Sequence, residues 1–364
     1  MFMILTIVLY FGGFIYISLR LNGGFNIQPP YNHLVVILGL LAALIGGSTM
    51  LFRRGEYSFM QVLGPLGFIL MGCFAITITV FIITDIVSLS NIFLKFKNFR
   101  YYATLTASVI SVLFCAYALL NVAIVQKIKR ITIQVENLPV DSIKVAAISD
   151  LHINLWTSPK VINKIFDKVA ALNADIIVIV GDVIDTDINR NNRFLEYGFA
   201  KLKAPLGVFA VTGNHEYYTG VDAFNEMFQK LGVKVLNNET VLTGGTINVA
   251  GIEDIRWKDK ETILKTLDSA NPKYPTIFLS HRPETFNIAQ SKNIFQISGH
   301  THAGQIPPIW IARNFFMQYN YGIYKLGQSI MYLTSGTRWW GPPMRFLNTC
   351  EIVLVTLERK KDKQ

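Results

Sequence analysis

Apolar residues follow two different regimes along this chain. Up to about residue 130 they form four long runs, Phe2–Leu19, His33–Phe52, Met60–Leu89 and Tyr101–Val125, with few polar positions inside them. Each run can cross a hydrocarbon core of about 30 Å, which takes about 20 helical residues. Buried helices of a water-soluble domain rarely run this long with so little charge. A cleaved signal peptide does not fit the first run, which lacks a basic start and a small-residue cleavage site and is followed by three more runs. The pattern predicts four membrane-spanning helices, the third over-long and either tilted or continued as an interfacial helix past Asp85. Asp85 reads either as the end of that span or as a functional intramembrane acid.

From Ile131 onward the period changes. Short Val/Ile-rich runs alternate with amphipathic stretches, predicting strands at Lys144–Ser149, Ile176–Val180, Val208–Thr212, Thr276–Ser280 and Asn293–Ser298, and a helix over Pro159–Leu172. Continuous apolar strands separated by helices indicate an α/β layered domain. The expected organisation is a transmembrane region over 1–130 and a soluble domain over 131–364. Every polar motif follows directly on a hydrophobic strand, the first of them opening at Asp150. In α/β sheets the ligand site lies beyond the carboxyl ends of the strands. Residues from Asp150 to His302 are therefore expected to converge on one edge.

Charge follows the same division. The net charge of +10 splits into nine bases against Glu56 and Asp85 over residues 1–130, and 25 bases against 22 acids over 131–364. A basic excess beside membrane spans belongs with anionic headgroups, so no nucleic-acid partner is expected. Four spans place the N-terminus and the soluble domain on one side. That side carries Arg53, Arg54, Lys127, Lys129 and Arg130 against Arg20, Lys95, Lys97 and Arg100 opposite. Five against four favours a cytoplasmic soluble domain by a small margin. Three cysteines, Cys73, Cys115 and Cys350, offer neither a disulfide framework nor a Cys-based zinc site.

The candidate chemistry lies in the strand-end motifs. They are Asp150-Leu-His152, Gly181-Asp182-Val-Ile-Asp185, Gly213-Asn214-His215-Glu216, His281, and Gly299-His300-Thr-His302. Mixed oxygen and imidazole donors suit Mn, Fe, Zn or Co rather than Ca. A bridging carboxylate can hold two such ions about 3.5–4 Å apart, where they bind a phosphoryl oxygen and lower the pKa of a water. A neighbouring imidazole can protonate the leaving group. A glycine before Asp182, Asn214 and His300 is expected to let the chain turn off its strand.

These five motifs, in this order, resemble the calcineurin-like metallophosphoesterase family over roughly residues 141–357. The run from Gly299 to Gln305 and the closing Gly336 and Pro342-Pro-Met-Arg345 are similar to its membrane-associated branch. The resemblance implies a β-sandwich flanked by helices and two divalent ions, Mn, Fe or Zn. Asp150, His152 and His302 would hold one ion, and Asn214, His281 and His300 the other. Asp182 would bridge both, and His215 would act on the leaving group with Asp185 orienting it. The chain departs from the family pattern at Asn154, where a glycine often stands. That departure concerns loop shape and substrate fit.

The expected function is a membrane-anchored phosphodiesterase or pyrophosphatase acting on a lipid or lipid-linked substrate. Hydrolysis of soluble phosphodiesters and a weakly catalytic membrane scaffold are the alternatives. Arg338 and Arg345 are compatible with a phosphate clamp and equally with surface ion pairs. Trp339-Trp340 could form an apolar lip facing an acyl chain or the bilayer, or could be core. Tyr217 and Tyr218 follow the Gly-Asn-His-Glu loop and read as packing residues or pocket lining. Glu216 reads as a structural hydrogen-bonding carboxylate.

Overall fold

The computed structural model describes all residues except 1, 52–59, 92–95, 124–125, 155, 186–191 and 361–364. Arg53, Arg54 and Lys95, counted above for sidedness, lie outside the described residues. The chain forms two units. One comprises residues 1–124, 304–312 and 341–347, and the other comprises 125–303, 313–340 and 348–364.

The first unit is built on four helices, α1 (Phe2–Phe25), α2 (Tyr31–Leu51), α3 (Met60–Ser88) and α4 (Phe99–Ala123). Helix is what an apolar run must form in lipid, because each backbone N–H and C=O then finds its partner within the segment. Three of the four expected spans are helices long and apolar enough to cross a membrane, over Tyr31–Ser48, Leu63–Ser88 and Phe99–Val122. The described residues support three spans rather than four, since most side chains in the first half of α1 are not among them.

Leucines line the outer face of α2, with Leu34, Leu38, Leu41 and Leu44 about half exposed, and Val112, Leu113 and Leu120 do the same on α4. That outward apolarity suits lipid rather than water. Inside, the Phe14 and Phe74 rings stack at 4.2 Å. Asp85 lies within α3, and Arg20 of α1 grips it through Nε and Nη2 while the Tyr16 hydroxyl donates to Oδ2.

Two later stretches of sequence pack into this unit, although both fall beyond the expected division at residue 130. Ile306, Met344 and Phe346 share an apolar cluster with Ile76, Val80 and Phe81 of α3 and Ala107 and Ala118 of α4. The Arg345 N–H donates to the Ala118 carbonyl, and Asn121 Nδ2 donates to the Arg345 carbonyl.

The second unit is a mixed α/β domain. Its elements in chain order are β1 (Lys127–Val135), β2 (Ser142–Ile148), α5 (Pro159–Ala170), β3 (Ile176–Val180), α6 (Asn192–Phe199), β4 (Val208–Val211), α7 (Asn214–Thr219), α8 (Val221–Lys230), β5 (Lys234–Val235), β6 (Glu239–Thr243), β7 (Ile247–Gly251), α9 (Lys260–Asp268), β8 (Thr276–Leu279), α10 (Phe286–Ala289), β9 (Ile294–Ser298), α11 (Ile309–Phe316, whose first four residues belong to the first unit), β10 (Gly322–Leu326), β11 (Ser329–Leu333) and β12 (Glu351–Arg359).

The strands form two six-stranded sheets, in the orders β1-β12-β2-β3-β4-β5 and β10-β11-β9-β8-β7-β6. Strands β2 to β5 run parallel, as do β7, β8, β9 and β11. Period-two alternation divides each buried strand between two cores. On β3, Ile176, Val178 and Val180 enter a cluster that also holds Val249, Ile277, Phe295 and Ile297 of the other sheet. Ile177 and Ile179 face the opposite way, toward Ile162, Ile165, Phe166 and Val169 of α5 and Phe224 and Phe228 of α8. The second sheet's outer side buries Phe278 and Met331 with Ile263 and Leu267 of α9. Both sheets thus deliver the carboxyl ends of their parallel strands to the polar motifs.

Candidate metal centre

Each motif begins where a parallel strand stops. Asp150 follows β2, Asp182 follows β3, Asn214 follows β4, His281 follows β8 and His300 follows β9. At these exits the backbone is forced into the left-handed region. Asp150 (φ 55°), His152 (43°), Asp182 (51°), His300 (76°) and His302 (50°) all adopt it. Such positions cost on the order of 1–3 kcal/mol each for a non-glycine residue and concentrate at functional sites. The glycines before the motifs serve two purposes. Gly181 supplies the turn expected of it, at φ 74°. Gly213 is extended, and a Cβ there would overlap Asp182 Oδ1, so close approach rather than turning demands glycine.

The side chains converge in two groups, Asp150 with His152 and His302, and Asp182 with His281 and His300, each with its candidate ligand atoms within 4.8 Å of one another. In the first, His302 Nε2 lies 3.4 Å from Asp150 Oδ1 and 3.0 Å from His152 Nε2. In the second, His281 Nε2 lies 3.2 Å from both Asp182 Oδ2 and His300 Nδ1. Asp182 Oδ2 is also 3.8 Å from His152 Nε2, so this buried carboxylate touches both groups.

Hydrogen bonds behind the site fix which ring nitrogen faces inward. His281 Nδ1 donates to the Val180 carbonyl at 2.9 Å, turning the Nε2 lone pair toward Asp182. His152 Nδ1 donates to Asp185 Oδ1 at 2.8 Å, turning its Nε2 toward Asp150, Asp182 and His302. Lone pairs aimed at carboxylates and at one another require a proton or a cation between them. The Asn214 Oδ1, buried without a hydrogen-bond partner, is a further donor atom of this kind. A buried orphan oxygen at the strand end next to His215, in a site with paired carboxylates and imidazoles, suits divalent cations.

The field supports the same conclusion. Burial opposes charge on Asp182, but His281, His215 and His152 outweigh it and hold the carboxyl well below its ordinary value. Burial raises Asp150, and the neighbouring Asp182 charge adds to it. Burial likewise disfavours a charged His281, yet Asp182, Asp150 and Asp254 push it up to about 10. The potential that would load a proton there would equally draw a metal ion. His300 moves the other way, to about 3, through burial and the positive charges of His281 and Arg282.

His215 stands beside these groups with its Nε2 3.8 Å from Asp182 Oδ2. Its Nδ1 is 2.7 Å from Asp185 Oδ1, the oxygen that also serves His152. Asp185 therefore orients two imidazoles, where the sequence suggested one. Its own carboxyl is lowered, since the His152 and His215 interactions exceed the cost of burial. The Tyr218 and Trp340 rings approach His215 at 5.7 and 6.1 Å, whereas the Trp339 ring lies under the Arg338 guanidinium.

Arg338 is not placed as a phosphate clamp would be. It is 3% exposed, and its Nη1 donates to the Leu151 and His152 carbonyls and to Thr157 Oγ1. Those carbonyls lose strand partners as the chain turns off β2, and a long cation reaches them from behind. Thr157 Oγ1 in turn donates to Asn154 Oδ1, so the residue that departs from the family pattern closes the same loop. Arg345 is fully buried in the first unit and offers no open face to an anion.

Glu216 is structural, as expected, but its target was not apparent from sequence. Its carboxylate accepts from the N–H groups of Asp182, Val183, Ile184 and Gly213, clamping the Asp182 loop. Burial, with Asp182 adding, raises it to about 7. Two other contributors were missed. Arg282 Nη1 lies 3.1 Å from His300 Nε2, and Asp254 holds the Arg282 Nε at 2.9 Å. Asp254 follows β7 as the ligands follow their strands, so the strand-end rule would have found it had β7 been recognised.

Residues 143–304 match the family model described as calcineurin-like phosphoesterase. A metallophosphoesterase of Helicobacter pylori is 34% identical over 238 residues, 64% of each chain. A transmembrane protein with metallophosphoesterase domain from Danio rerio is 30% identical over 275 residues, covering 70% of this chain and 63% of that one. A metallophosphoesterase of Aquifex aeolicus is 31% identical over 262 residues, covering 69% of this chain and 98% of that one. More distantly, the UDP-2,3-diacylglucosamine pyrophosphatase of Chlamydia trachomatis is 27% identical over 217 residues, 46% of this chain and 66% of that one. The chain thus spans slightly less than two thirds of the length of the Helicobacter pylori and Danio rerio relatives. Strand-end motifs, two converging ligand groups and these likenesses lead to one assignment: the chain belongs to the calcineurin-like metallophosphoesterase family.

Proposed function

We propose that this chain is a membrane-anchored, dinuclear metal-dependent phosphoester hydrolase whose substrate is a lipid or lipid-linked phosphodiester or diphosphate. The observation that carries the reading is the approach of two imidazole-carboxylate groups to one buried carboxylate, Asp182. Asp150, His152 and His302 would hold one ion and Asn214, His281 and His300 the other, with Asp182 as the shared ligand. Two divalent ions, Mn, Fe or Zn, supply Lewis acidity toward a phosphoryl oxygen and acidify a water to near neutral pH.

The chain's own groups do the rest. With His215 Nδ1 engaged by Asp185, its Nε2 is the nitrogen available to give a proton to the leaving oxygen. Asp185 keeps that ring and the His152 ring in one tautomer. Trp340 and Tyr218 form an apolar lip beside His215. The two sheets are read as a β-sandwich flanked by helices, and α1 as a fourth span that places the domain on the cytoplasmic side. The lipid character of the substrate is supported by the apolar helices and by what the Chlamydia trachomatis relative is named for acting on.

The test uses the full chain in detergent, stripped by chelator and restored with Mn, Fe, Zn or Mg singly. Turnover of an aryl phosphodiester, an aryl phosphomonoester and lipid diphosphates in mixed micelles is compared for wild type and Asp182→Asn. Metal-dependent turnover that the substitution abolishes, and that favours the lipid series, is expected. Unchanged turnover and unchanged bound metal in Asp182→Asn would overturn the hydrolase reading. Preference for the soluble diester would overturn the lipid one.

A further inference from the structure

Helix α11 (Ile309–Phe316) has its polarity inverted for a surface helix in water. At about 100° per residue, Trp310, Arg313 and Asn314 share one side. Ile311, Phe315, Ala312, Phe316 and Ile309 fill about 160° of the other. On that side Trp310 and Arg313 are turned to protein, and Asn314 lies exposed at its edge. The Trp310 ring lies 5.6 Å from Phe346, in the apolar cluster built with α3 and α4. Arg313 donates to the Ala303 carbonyl. The apolar side is the open one, with Ile309 50%, Phe315 79% and Phe316 86% exposed. A helix on a water-soluble domain buries its apolar stripe and shows its polar one.

Charge points to the same surroundings. From Thr285 to Cys350 there is no Asp or Glu, while Lys292 and Lys325 are exposed and Arg313 half-buried within that stretch. Nothing acidic on this part of the chain repels an anionic headgroup. Residues 304–312, including the first half of α11, also pack with the helices of membrane-spanning length. The apolar face of α11 is therefore continuous along the chain with a segment already embedded among lipid-facing helices.

We propose that α11 is an interfacial helix whose Ile309, Ile311, Phe315 and Phe316 face lies in the bilayer at the boundary between headgroups and acyl chains. The occupant of that face is lipid, not a protein partner or a second copy of the chain. Only residues 303–308 separate α11 from the candidate ligand His302.

The test is a location measurement and needs no turnover, so its failure is separate from failure of the hydrolase reading. Phe316→Cys and Asn314→Cys, on opposite sides of α11, and Lys230→Cys at the end of α8 are spin-labelled in the full chain. Each is reconstituted in phosphatidylethanolamine–phosphatidylglycerol vesicles, and signal from the native cysteines is subtracted using wild type. Collisions with oxygen and with a water-soluble nickel chelate are compared. Oxygen collisions exceeding nickel at position 316, with nickel dominant at 230, are expected. Nickel dominance at 316 would overturn the proposal in favour of a water-exposed helix. Protection of 316 from both reagents would overturn it in favour of a protein partner or a second copy.

Discussion

At the scale of single residues, Asp185 is the side chain whose role grew most between sequence and structure. The family resemblance implied it as the partner of His215. It could not show that one oxygen, Oδ1, receives both His215 and the candidate ligand His152. A carboxylate that holds a metal-binding histidine by its other ring nitrogen is worth about 10- to 100-fold in activity or metal affinity. We expect Asp185→Ala to lose turnover at the upper end of that range. Asp185→Asn should lose less, because its amide oxygen can still accept from both rings. Steady-state kinetics on metal-loaded protein would decide this, and unchanged turnover in the alanine variant would remove Asp185 from the site.

Glu216 allows a similar argument on stability. Four backbone N–H groups point at its carboxylate, and Gln would turn an NH2 toward some of them. A buried donor left unsatisfied costs about 1–3 kcal/mol. Glu216→Gln should therefore unfold at lower temperature, which differential scanning fluorimetry of the metal-free protein would register. An unchanged midpoint would mean that the loop holds its shape without the clamp.

Among elements, legibility tracked how much of a segment's environment its own pattern encodes. Strand β3 was read from sequence with the bounds it has, Ile176–Val180, because a five-residue Val/Ile run bounded by Asp175 and Gly181 has few other uses. The candidate ligands could be proposed for a related reason, since strand ends carry them and short motifs mark strand ends. Strand β7 was not recognised, because Ile247–Gly251 carries an Asn at its second position and Asp254 stands three residues beyond its end rather than directly after it. The Asn248 side chain is spent inside the fold, donating to the Asn271 and Tyr274 carbonyls.

Arg338 shows a different limit of the sequence. A sequence shows that a cation is present but not which way it points, and its acceptors are carbonyls freed by a turn on another strand. Helix α5 offers the element-scale test. Its amphipathic stripe places Phe166 at 0% exposure against Phe199 of α6. Large-to-small core changes of this kind cost about 3–5 kcal/mol. Phe166→Ala should thus lower the denaturant midpoint substantially, while the ligand groups, which lie on other elements, still bind metal in the folded fraction. A shift under ~1 kcal/mol would mean that this core collapses around the gap.

Over the whole molecule, the charge division between the two regions sets a problem that the first unit resolves locally. Helices in a membrane can carry few charges, and those present are expected to pair or to reach the interface. Asp85 was open to two readings from sequence, a span end or a functional acid. The structure gives it three donors, Nε and Nη2 of Arg20 and the Tyr16 hydroxyl, which tie α1 to α3. The pair is not sealed, with side-chain exposures of 17% for Arg20 and 34% for Asp85. Breaking a fully buried pair by removing one partner costs about 3–5 kcal/mol, much of it from the charge left behind. Partial exposure reduces that figure here.

A double-mutant cycle separates the two contributions. Arg20→Ala alone should destabilise the full chain in detergent by about 1–3 kcal/mol, because Asp85 keeps its charge without its main partner. Asp85→Ala should do the same through Arg20. The double variant should then recover part of the summed loss, because neither charge is left behind. Thermal unfolding of the four proteins in one detergent gives the coupling term directly. A coupling indistinguishable from zero would show that headgroups and solvent already screen the pair, and the clamp between α1 and α3 would then have to rest on packing such as the Phe14–Phe74 stack.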